Sequence, residues 1–160
     1  MQDQAKKHLQ QWIADGHLNF CSDDALTALQ NLPENSADII ASAYTLHNFL
    51  ISYREQVIKE IYRVLKPNGQ FINGDRYALN DTRQHTRAVQ DEISQYFKVL
   101  IPLDRSKVLE QWIVHLFNDE SQDHIMRESI ALQQLHDFGF SDIKISDRIN
   151  VNALVKAKKP

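Results

Sequence analysis

Two histidines and two acids near residue 120 have the spacing of a metal site. His115 precedes Asp119 by four residues, and Glu120 precedes His124 by the same interval. Side chains four apart on a helix share a face, and imidazole with carboxylate suits zinc or a non-haem metal. The polar stretch 118–122, however, is typical of a helix break, which would scatter these side chains. We therefore predict solvated side chains here and no metal site.

A second set of polar residues follows two apolar segments. Ser42 to Tyr44 come directly after A-D-I-I-A, and Asp75 and Arg76 come directly after F-I-N-G. Ligands of open α/β sheets bind at the carboxyl ends of the strands, so both sets are candidates for a binding site. Ordinary packing between strand and helix would also explain the small residues. Arg76 indicates either an anionic ligand or an ion pair with Asp75 or Asp81.

The segment around these residues predicts a strand, a crossover helix and a second strand. Ala37 to Ala43 has the apolar run of a strand buried on both faces. The helix shows one apolar stripe, formed by Val57, Ile58, Ile61, Val64 and Leu65. Pro67 and Gly69 end it, and Phe71 begins the next strand. A unit of this kind predicts a parallel sheet with helices on its faces.

The remaining elements follow from periodicity and capping residues. Helices are predicted at Gln2–Ala14, Ala25–Leu32, Thr82–Leu100 and Ser106–Phe117, with a further helix that ends at Phe138 before Gly139, and a strand at His17–Cys21. Two alternating segments around Arg148–Asn150 predict an antiparallel hairpin at one sheet edge. The prediction is a single α/β domain over 1–160, with a Rossmann-like part at 1–76, a variable helical acceptor or lid segment at 77–138, and C-terminal strands at 139–160.

Composition bounds the class of protein. The chain has 160 residues, a net charge of −3, 42% hydrophobic residues and 24% charged residues. These values are ordinary for a globular protein and argue against a nucleic-acid partner. Cys21 is the only cysteine, which favours a reducing compartment. No apolar run approaches the ~20 residues of a membrane span. We expect a cytoplasmic protein with no membrane partner.

The segment from Leu32 to Ile72 resembles the passage between the fourth and fifth strands of class I S-adenosylmethionine-dependent methyltransferases. The resemblance lies in L-P-E-N-S-A-D-I-I-A-S-A-Y-T-L-H-N-F followed by E-I-Y-R-V-L-K-P-N-G-Q-F-I. H-D-F-G-F-S-D-I-K-I-S is similar to the end of the same proteins, and H-L-N-F-C-S-D-D-A-L to their third strand and the loop after it. This resemblance implies S-adenosylmethionine as cofactor and a mostly parallel, Rossmann-like sheet.

The resemblance also assigns site residues. It implies that Asp24 and Ala25 hold the adenine, although Asp24 also suits a helix cap. Ser42 and Ala43 would lie beside the methionine part of the cofactor. His47 matches a position that faces the methyl acceptor, where an imidazole can take a proton, or else hydrogen-bond within its loop. Tyr44 and His47 are the catalytic candidates, and Trp112, His115 and Phe117 could form a lid.

The sequence departs from this family at its N-terminal side. The family's glycine-rich G-x-G-x-G turn and the acidic residue that ends its second strand have no counterpart in this sequence. We therefore expect an N-terminally truncated methyltransferase fold. Met1 would then be an internal methionine of a longer protein or a shortened start. Without those strands, Ala37–Ala43 would be an exposed apolar edge. We expect that edge to pair with His17–Cys21, to swap or pair with a second copy as a homodimer, or to need a segment from elsewhere.

Two functions remain open. The first is methyl transfer from S-adenosylmethionine to a small-molecule acceptor, with a cofactor site that is incomplete in this chain. The alternative is a non-catalytic methyltransferase-like remnant that acts as a dimerisation or partner-binding module.

Overall fold

The computed structural model describes residues 2–160, and Met1, with the prediction that concerns it, lies outside the described residues. In chain order the elements are α1 (Gln2–His8), α2 (Gln10–Ala14), α3 (Ala25–Gln30), β1 (Ala37–Ala43), a 3₁₀ turn (Leu46–Asn48), α4 (Ile51–Val64), β2 (Leu65–Arg76), α5 (Thr82–Leu100), α6 (Ser106–Asp119), α7 (Glu128–Asp137), β3 (Ser141–Ile149) and β4 (Asn152–Lys158). This order is that of an α/β domain.

The described strands form one four-stranded sheet in the order β1-β2-β4-β3. β1 and β2 are parallel and joined by α4, which confirms the predicted crossover unit. β4 runs antiparallel to both β2 and β3, which confirms the C-terminal hairpin. The sheet is mixed rather than mostly parallel, because among the described strands only β1 and β2 are joined through a crossover helix.

The core lies between this sheet and the apolar stripe of α4. Val57, Ile58 and Ile61 are almost fully buried and pack in one cluster with Phe71 of β2 and Val155 of β4. Full burial of one such side chain contributes about 1.5–3 kcal/mol. The predicted stripe is therefore confirmed up to Val64, whereas Leu65, Pro67 and Gly69 belong to β2, which begins six residues earlier than predicted.

The prediction that β1 is buried on both faces is wrong. β1 lies at a sheet edge, and the Ile39 side chain on it is 60% exposed. This is the exposed apolar edge expected if neighbouring strands are lacking. Residues 17–21 are irregular and do not form the predicted strand, because no described strand pairs with them. Direct pairing with β1 therefore does not close the edge.

The first predicted helix is divided. α1 and α2 are separated at Leu9, and Leu9, Trp12 and Ile13 are substantially exposed. α3 begins as predicted, with the Asp24 carboxylate accepting from the N–H groups of Leu26 and Thr27. None of the described helices is both long and apolar enough to cross a bilayer.

The helical segment after β2 covers the carboxyl ends of β1 and β2. α5 has the predicted bounds, and α6 continues two residues beyond the predicted end, so that Asn118 and Asp119 are still helical. The helix break at 118–122 therefore starts later than its polar composition indicated. As a result, His115 and Asp119 stay on one helical face.

Candidate functional site

A cleft of about 460 Å³ lies where the loop after β1, the end of β2, and helices α5 and α6 meet. We call it the His47 cleft. Among its lining residues are Tyr44, His47, Arg76, Glu92, Tyr96, Trp112, His115 and Asp119. The residue after β1 and the last residue of β2 therefore do line a cavity at the carboxyl end of the sheet, as strand position predicted.

His47 is fixed by the turn that follows β1. Tyr44 has a left-handed backbone, with φ of 48°, and the 3₁₀ turn of residues 46–48 then brings the imidazole back over the sheet. The buried Arg54 guanidinium holds this turn, because its Nε donates to the Leu46 carbonyl at 2.9 Å and its Nη2 to that of Phe49 at 2.9 Å. The His47 side chain is only 7% exposed.

Asp75, near the end of β2, is the partner of His47. Its Oδ1 lies 2.5 Å from Nδ1 of His47. The same carboxylate accepts hydrogen bonds from the backbone N–H groups of Leu46 and Arg76, both at 2.9 Å, and from the amide of Asn73 at 3.3 Å. We assign the proton of the imidazole to Nδ1, because an ionised carboxylate can only accept. That tautomer leaves the lone pair of Nε2 directed into the cleft.

Asp119 faces this lone pair from α6. Its Oδ2 lies 3.7 Å from Nε2 of His47, and its Oδ1 lies 3.7 Å from Nε2 of His115. Asp119 is 6% exposed, and its Oδ1 has no hydrogen-bond partner in the described part of the chain. Burial raises the pKa of Asp119, and this outweighs the opposite effect of His47, His115 and Arg76.

Arg76 is held by two carboxylates. Its Nη1 donates to Glu92 at 2.7 and 2.9 Å, and its Nη2 to Glu120 at 3.1 Å. Burial disfavours the charged guanidinium, yet these two partners outweigh it and raise the pKa of Arg76 above its ordinary value. Arg76 therefore does form ion pairs, as one of the two alternatives predicted, but the predicted partners Asp75 and Asp81 are wrong, and Glu92 and Glu120 take their place.

Glu120 also binds a histidine that the sequence analysis did not consider. Nε2 of His85, on α5, lies 2.6 Å from Oε2 of Glu120. Burial would raise the pKa of this carboxyl, but His85 and Arg76 together hold the pKa of Glu120 below its ordinary value. The pair ties α5 to the end of α6 and so fixes the wall of the cleft.

Aromatic rings form the outer wall. Tyr44 is 60% exposed, and its ring lies edge-on to the His47 imidazole with centroids 6.5 Å apart. Tyr96 of α5 contacts Trp112 of α6 edge-on at 5.0 Å and donates to Glu92. Burial, followed by the contact with Glu92, raises the pKa of Tyr96. The wall is thus a mixed aromatic and polar surface.

The predicted lid residues separate into two groups. Trp112 and His115 line the His47 cleft, and their role as a lid stays a prediction. Phe117 instead lines a separate, mostly apolar cavity of about 230 Å³ between α5 and α6. The three therefore do not act as one surface.

Comparison with known proteins identifies the fold. Residues 1–73 match a family model described as a methyltransferase domain. An O-methyltransferase family protein from Burkholderia thailandensis superposes with a TM-score of 0.65 at 14% identity, over 99% of this chain and 40% of that chain. The chain therefore has the fold of solved methyltransferases, and residues 1–73, slightly less than half of it, resemble the methyltransferase domain in sequence. Its Rossmann-like fold with flanking helices is confirmed.

Further solved structures share this fold. The structure described as PigF with SAH matches with a TM-score of 0.53 at 18% identity, over 86% of this chain and 34% of that chain. The CurJ carbon methyltransferase matches with a TM-score of 0.62 at 13% identity, over 98% of this chain and 38% of that chain. The chain thus spans less than half the length of these structures. No curated protein matches its sequence.

The residues predicted to bind the cofactor lie outside the cleft lining. Asp24 caps α3 and also accepts from the Tyr53 hydroxyl at 2.7 Å, and Ala25 is the first residue of that helix. Ser42 and Ala43 pair with β2 near the carboxyl end of β1. Within the described residues, only Tyr44 and His47 of the predicted site line the His47 cleft.

Sequence reasoning did not predict that Asp75 pairs with His47 or that Asp119 faces it. The three residues are 28 and 44 positions apart, and no local pattern links them. The available signal was weak. Asp75 lies near the carboxyl end of β2, His47 follows the carboxyl end of β1, and these ends lie side by side when two parallel strands are neighbours. His124 turns away, with its Nδ1 3.0 Å from the Ser121 hydroxyl.

Proposed function

We propose that this chain takes part in methyl transfer from S-adenosylmethionine to a small-molecule acceptor bound in the His47 cleft. The observation that carries this proposal is the buried pair of His47 and Asp75, which directs an unprotonated imidazole nitrogen into a cavity beside the sheet. The match of residues 1–73 to the methyltransferase domain supports the choice of reaction class.

His47 would act on the acceptor as a general base. An acceptor hydroxyl or amine within hydrogen-bond reach of Nε2 loses its proton to that nitrogen as its oxygen or nitrogen forms a bond to the methyl group. Asp75 holds the imidazole in the productive tautomer and stabilises the imidazolium that forms. A positioned base of this kind contributes about 10²–10⁴-fold in rate. The walls of the cleft would contribute by placing the acceptor in line with the sulfonium.

The cofactor would be held beside this cleft by the residues that the resemblance assigns. S-adenosylmethionine, when bound, supplies an electrophilic methyl group. Ala25 fits an adenine contact, because the first N–H groups of a helix have no partner within it. The Asp24 carboxylate already accepts from Leu26, Thr27 and Tyr53, so an adenine amine would have to share or displace one of these donors. Ser42 and Ala43 are small enough to permit close approach.

The test measures transfer of a labelled methyl group to a panel of small phenols, alcohols and amines. We expect product from the unaltered chain, and a loss of at least 10²-fold for His47→Asn. His136→Asn is the matched control, because His136 is an exposed histidine at the end of α7. Equal rates for both variants would exclude His47 as the base. If a folded sample gives no product and calorimetry detects no cofactor binding, the proposed reaction itself is overturned.

The predicted homodimer would form through β1. The edge position of this strand and the 60% exposure of Ile39 support pairing with a second copy. The same edge is what the non-catalytic alternative would use, so dimerisation alone does not separate the two functions. The cytoplasmic location, the absence of a nucleic-acid partner and the division into segments 1–76, 77–138 and 139–160 stay predictions.

A further inference from the structure

We propose that His47, His115 and Asp119 together bind a divalent transition-metal ion of the zinc class. Each offers one ligand atom, and the three atoms lie within 4.8 Å of one another. The sequence analysis paired His115 with Asp119 but rejected a metal at this segment, because it expected the helix to end before Asp119 and had no reason to place His47 beside them. The proposal does not depend on the proposed methyl transfer.

The carboxylate of Asp119 lies between the two imidazoles, near the spacing that a zinc ion requires. Zinc bonds to imidazole nitrogen and carboxylate oxygen are about 2.0–2.1 Å, so ligand atoms of a tetrahedral site lie about 3.3 Å apart. Oδ2 of Asp119 lies 3.7 Å from Nε2 of His47 and Oδ1 lies 3.7 Å from Nε2 of His115, while one ligand atom from each of the three residues lies within 4.8 Å of the other two. Binding would draw the three atoms together through rotation of the half-exposed His115 side chain, while Asp75 holds His47 in place.

An independent observation points to a ligand at the same place. Oδ1 of Asp119 is buried without a hydrogen-bond partner in the described part of the chain, and it lies on the side of His115. An unpartnered buried carboxylate oxygen costs free energy unless a donor or a cation satisfies it. A metal ion between the two histidines would satisfy it.

The surroundings of His47 are also those of a metal ligand. A metal-binding histidine commonly donates its other ring N–H to a carboxylate, which fixes the tautomer and increases the basicity of the ligating nitrogen. Asp75 accepts in this way at Nδ1, so Nε2 is the nitrogen presented to the ion. The second histidine, His115, lies one helical turn from Asp119 on α6, and its side chain is about half exposed and free to adjust.

The local charge favours a cation. Arg76 approaches Asp119 at 3.7 Å, but its charge is already shared with Glu92 and Glu120. Counting the neighbouring ionised groups gives four carboxylates (Asp75, Glu92, Asp119, Glu120) against two guanidinium groups (Arg54, Arg76), an excess of two negative charges. Two imidazoles with one carboxylate select zinc or a neighbouring transition metal over magnesium or calcium, which require oxygen ligands.

Occupation of this site would exclude the base role of His47. The metal takes the Nε2 lone pair that would otherwise accept the acceptor's proton. We therefore expect zinc to inhibit methyl transfer and a chelator to restore it. This makes the His47 cleft a site at which metal and acceptor compete.

Zinc binding is measured first without S-adenosylmethionine, by calorimetry and by the visible absorption of Co²⁺ as a zinc substitute. We expect one tight equivalent in the unaltered chain and a loss of affinity of at least tenfold in His115→Ala and in Asp119→Asn. His136→Ala is the control and should bind unchanged. Circular dichroism and thermal unfolding establish that each variant is folded.

Two outcomes would overturn the proposal. One is no binding by the folded chain at a Zn²⁺ concentration of about 100 μM, which corresponds to about −5.5 kcal/mol. The other is equal affinity in His115→Ala and the unaltered chain, which would place the ion elsewhere. Because the assay contains neither cofactor nor acceptor, a failure of methyl transfer leaves its result unaffected.

Discussion

At the scale of the residue, Asp75 determines how the site is arranged. Its two oxygens accept from four donors and it is 1% exposed, so its charge is balanced within the fold by these hydrogen bonds and by the nearby Arg54 guanidinium. Two of those donors are backbone N–H groups on separate elements. The carboxylate therefore joins the end of β2 to the turn that carries His47.

This role predicts the effect of replacing Asp75 by asparagine. The Asn amide would bring its own donors against the N–H groups of Leu46 and Arg76, so buried donors would go unpaired. We expect Asp75→Asn to lower the free energy of unfolding by about 1–3 kcal/mol, measured by urea denaturation. The same substitution at Asp91, which is exposed on α5, is the control. Equal stability of the two variants would contradict the assigned hydrogen bonds.

Asp24 gives a prediction for the pH dependence of stability. Hydrogen bonds from Thr27, then Tyr53, hold the pKa of Asp24 well below its usual range. A carboxyl with a lowered folded-state pKa stabilises the fold above the unfolded pKa of about 3.9, and this contribution is lost as the pH falls through the folded-state value. We expect Asp24→Asn to lower the melting temperature at about pH 7 and much less at about pH 2.

The neighbouring Asp23 supplies the comparison for that experiment. It is exposed and, within the described residues, accepts one long side-chain hydrogen bond, from Asn31 at 3.5 Å. Asp23→Asn should leave the melting temperature nearly unchanged at both pH values. A pH-independent effect of Asp24→Asn would show that its carboxylate does not stabilise α3 through its charge.

At the scale of the element, the sequence predicted what local patterns determine. The bounds of α5 follow from the Asp81 cap and a long amphipathic repeat, and the α4 stripe follows from 3.6-residue periodicity. Residues 17–21 alternate like a strand but are irregular, because a strand needs a partner for its hydrogen bonds. The turn at residues 44–48 and the extra helical residues at 118–119 depend on tertiary contacts, and these are what bring His47 and Asp119 together.

The start of β2 carries a prediction about backbone packing. A Cβ added at Gly69 would lie 2.8 Å from the Lys66 carbonyl oxygen and 3.1 Å from that of Asp38. Both atoms belong to the backbone, so neither can move freely. We expect Gly69→Ala to lower the free energy of unfolding by about 1–3 kcal/mol, measured by chemical denaturation.

Gly74 on the same strand is the matched control for this substitution. A Cβ there would meet only the Leu154 side chain, at an ordinary 3.8 Å. Gly74→Ala should therefore preserve stability or raise it slightly, because alanine restricts the unfolded chain. Similar losses at both glycines would contradict the account of Gly69.

At the scale of the whole molecule, the two edges of the sheet differ in their protection. The β3 edge carries Asp142, Lys144, Asp147 and Arg148, and charged side chains on an edge discourage pairing with another chain. The β1 edge carries Asp38 as its one charged residue, next to the exposed Ile39. Self-association should therefore proceed through β1 and not through β3.

A single substitution at each edge separates these surfaces. We expect Ile39→Lys to shift the chain towards the monomer. Pairing of two β1 edges would bury the lysine ammonium and place it near the same ammonium of the second copy. Ile149→Lys, at an exposed position on β3, should leave the association unchanged. Sedimentation velocity over a concentration series measures both. If Ile149→Lys dissociates the chain while Ile39→Lys does not, the association lies at the opposite edge, and β1 is stable without a partner.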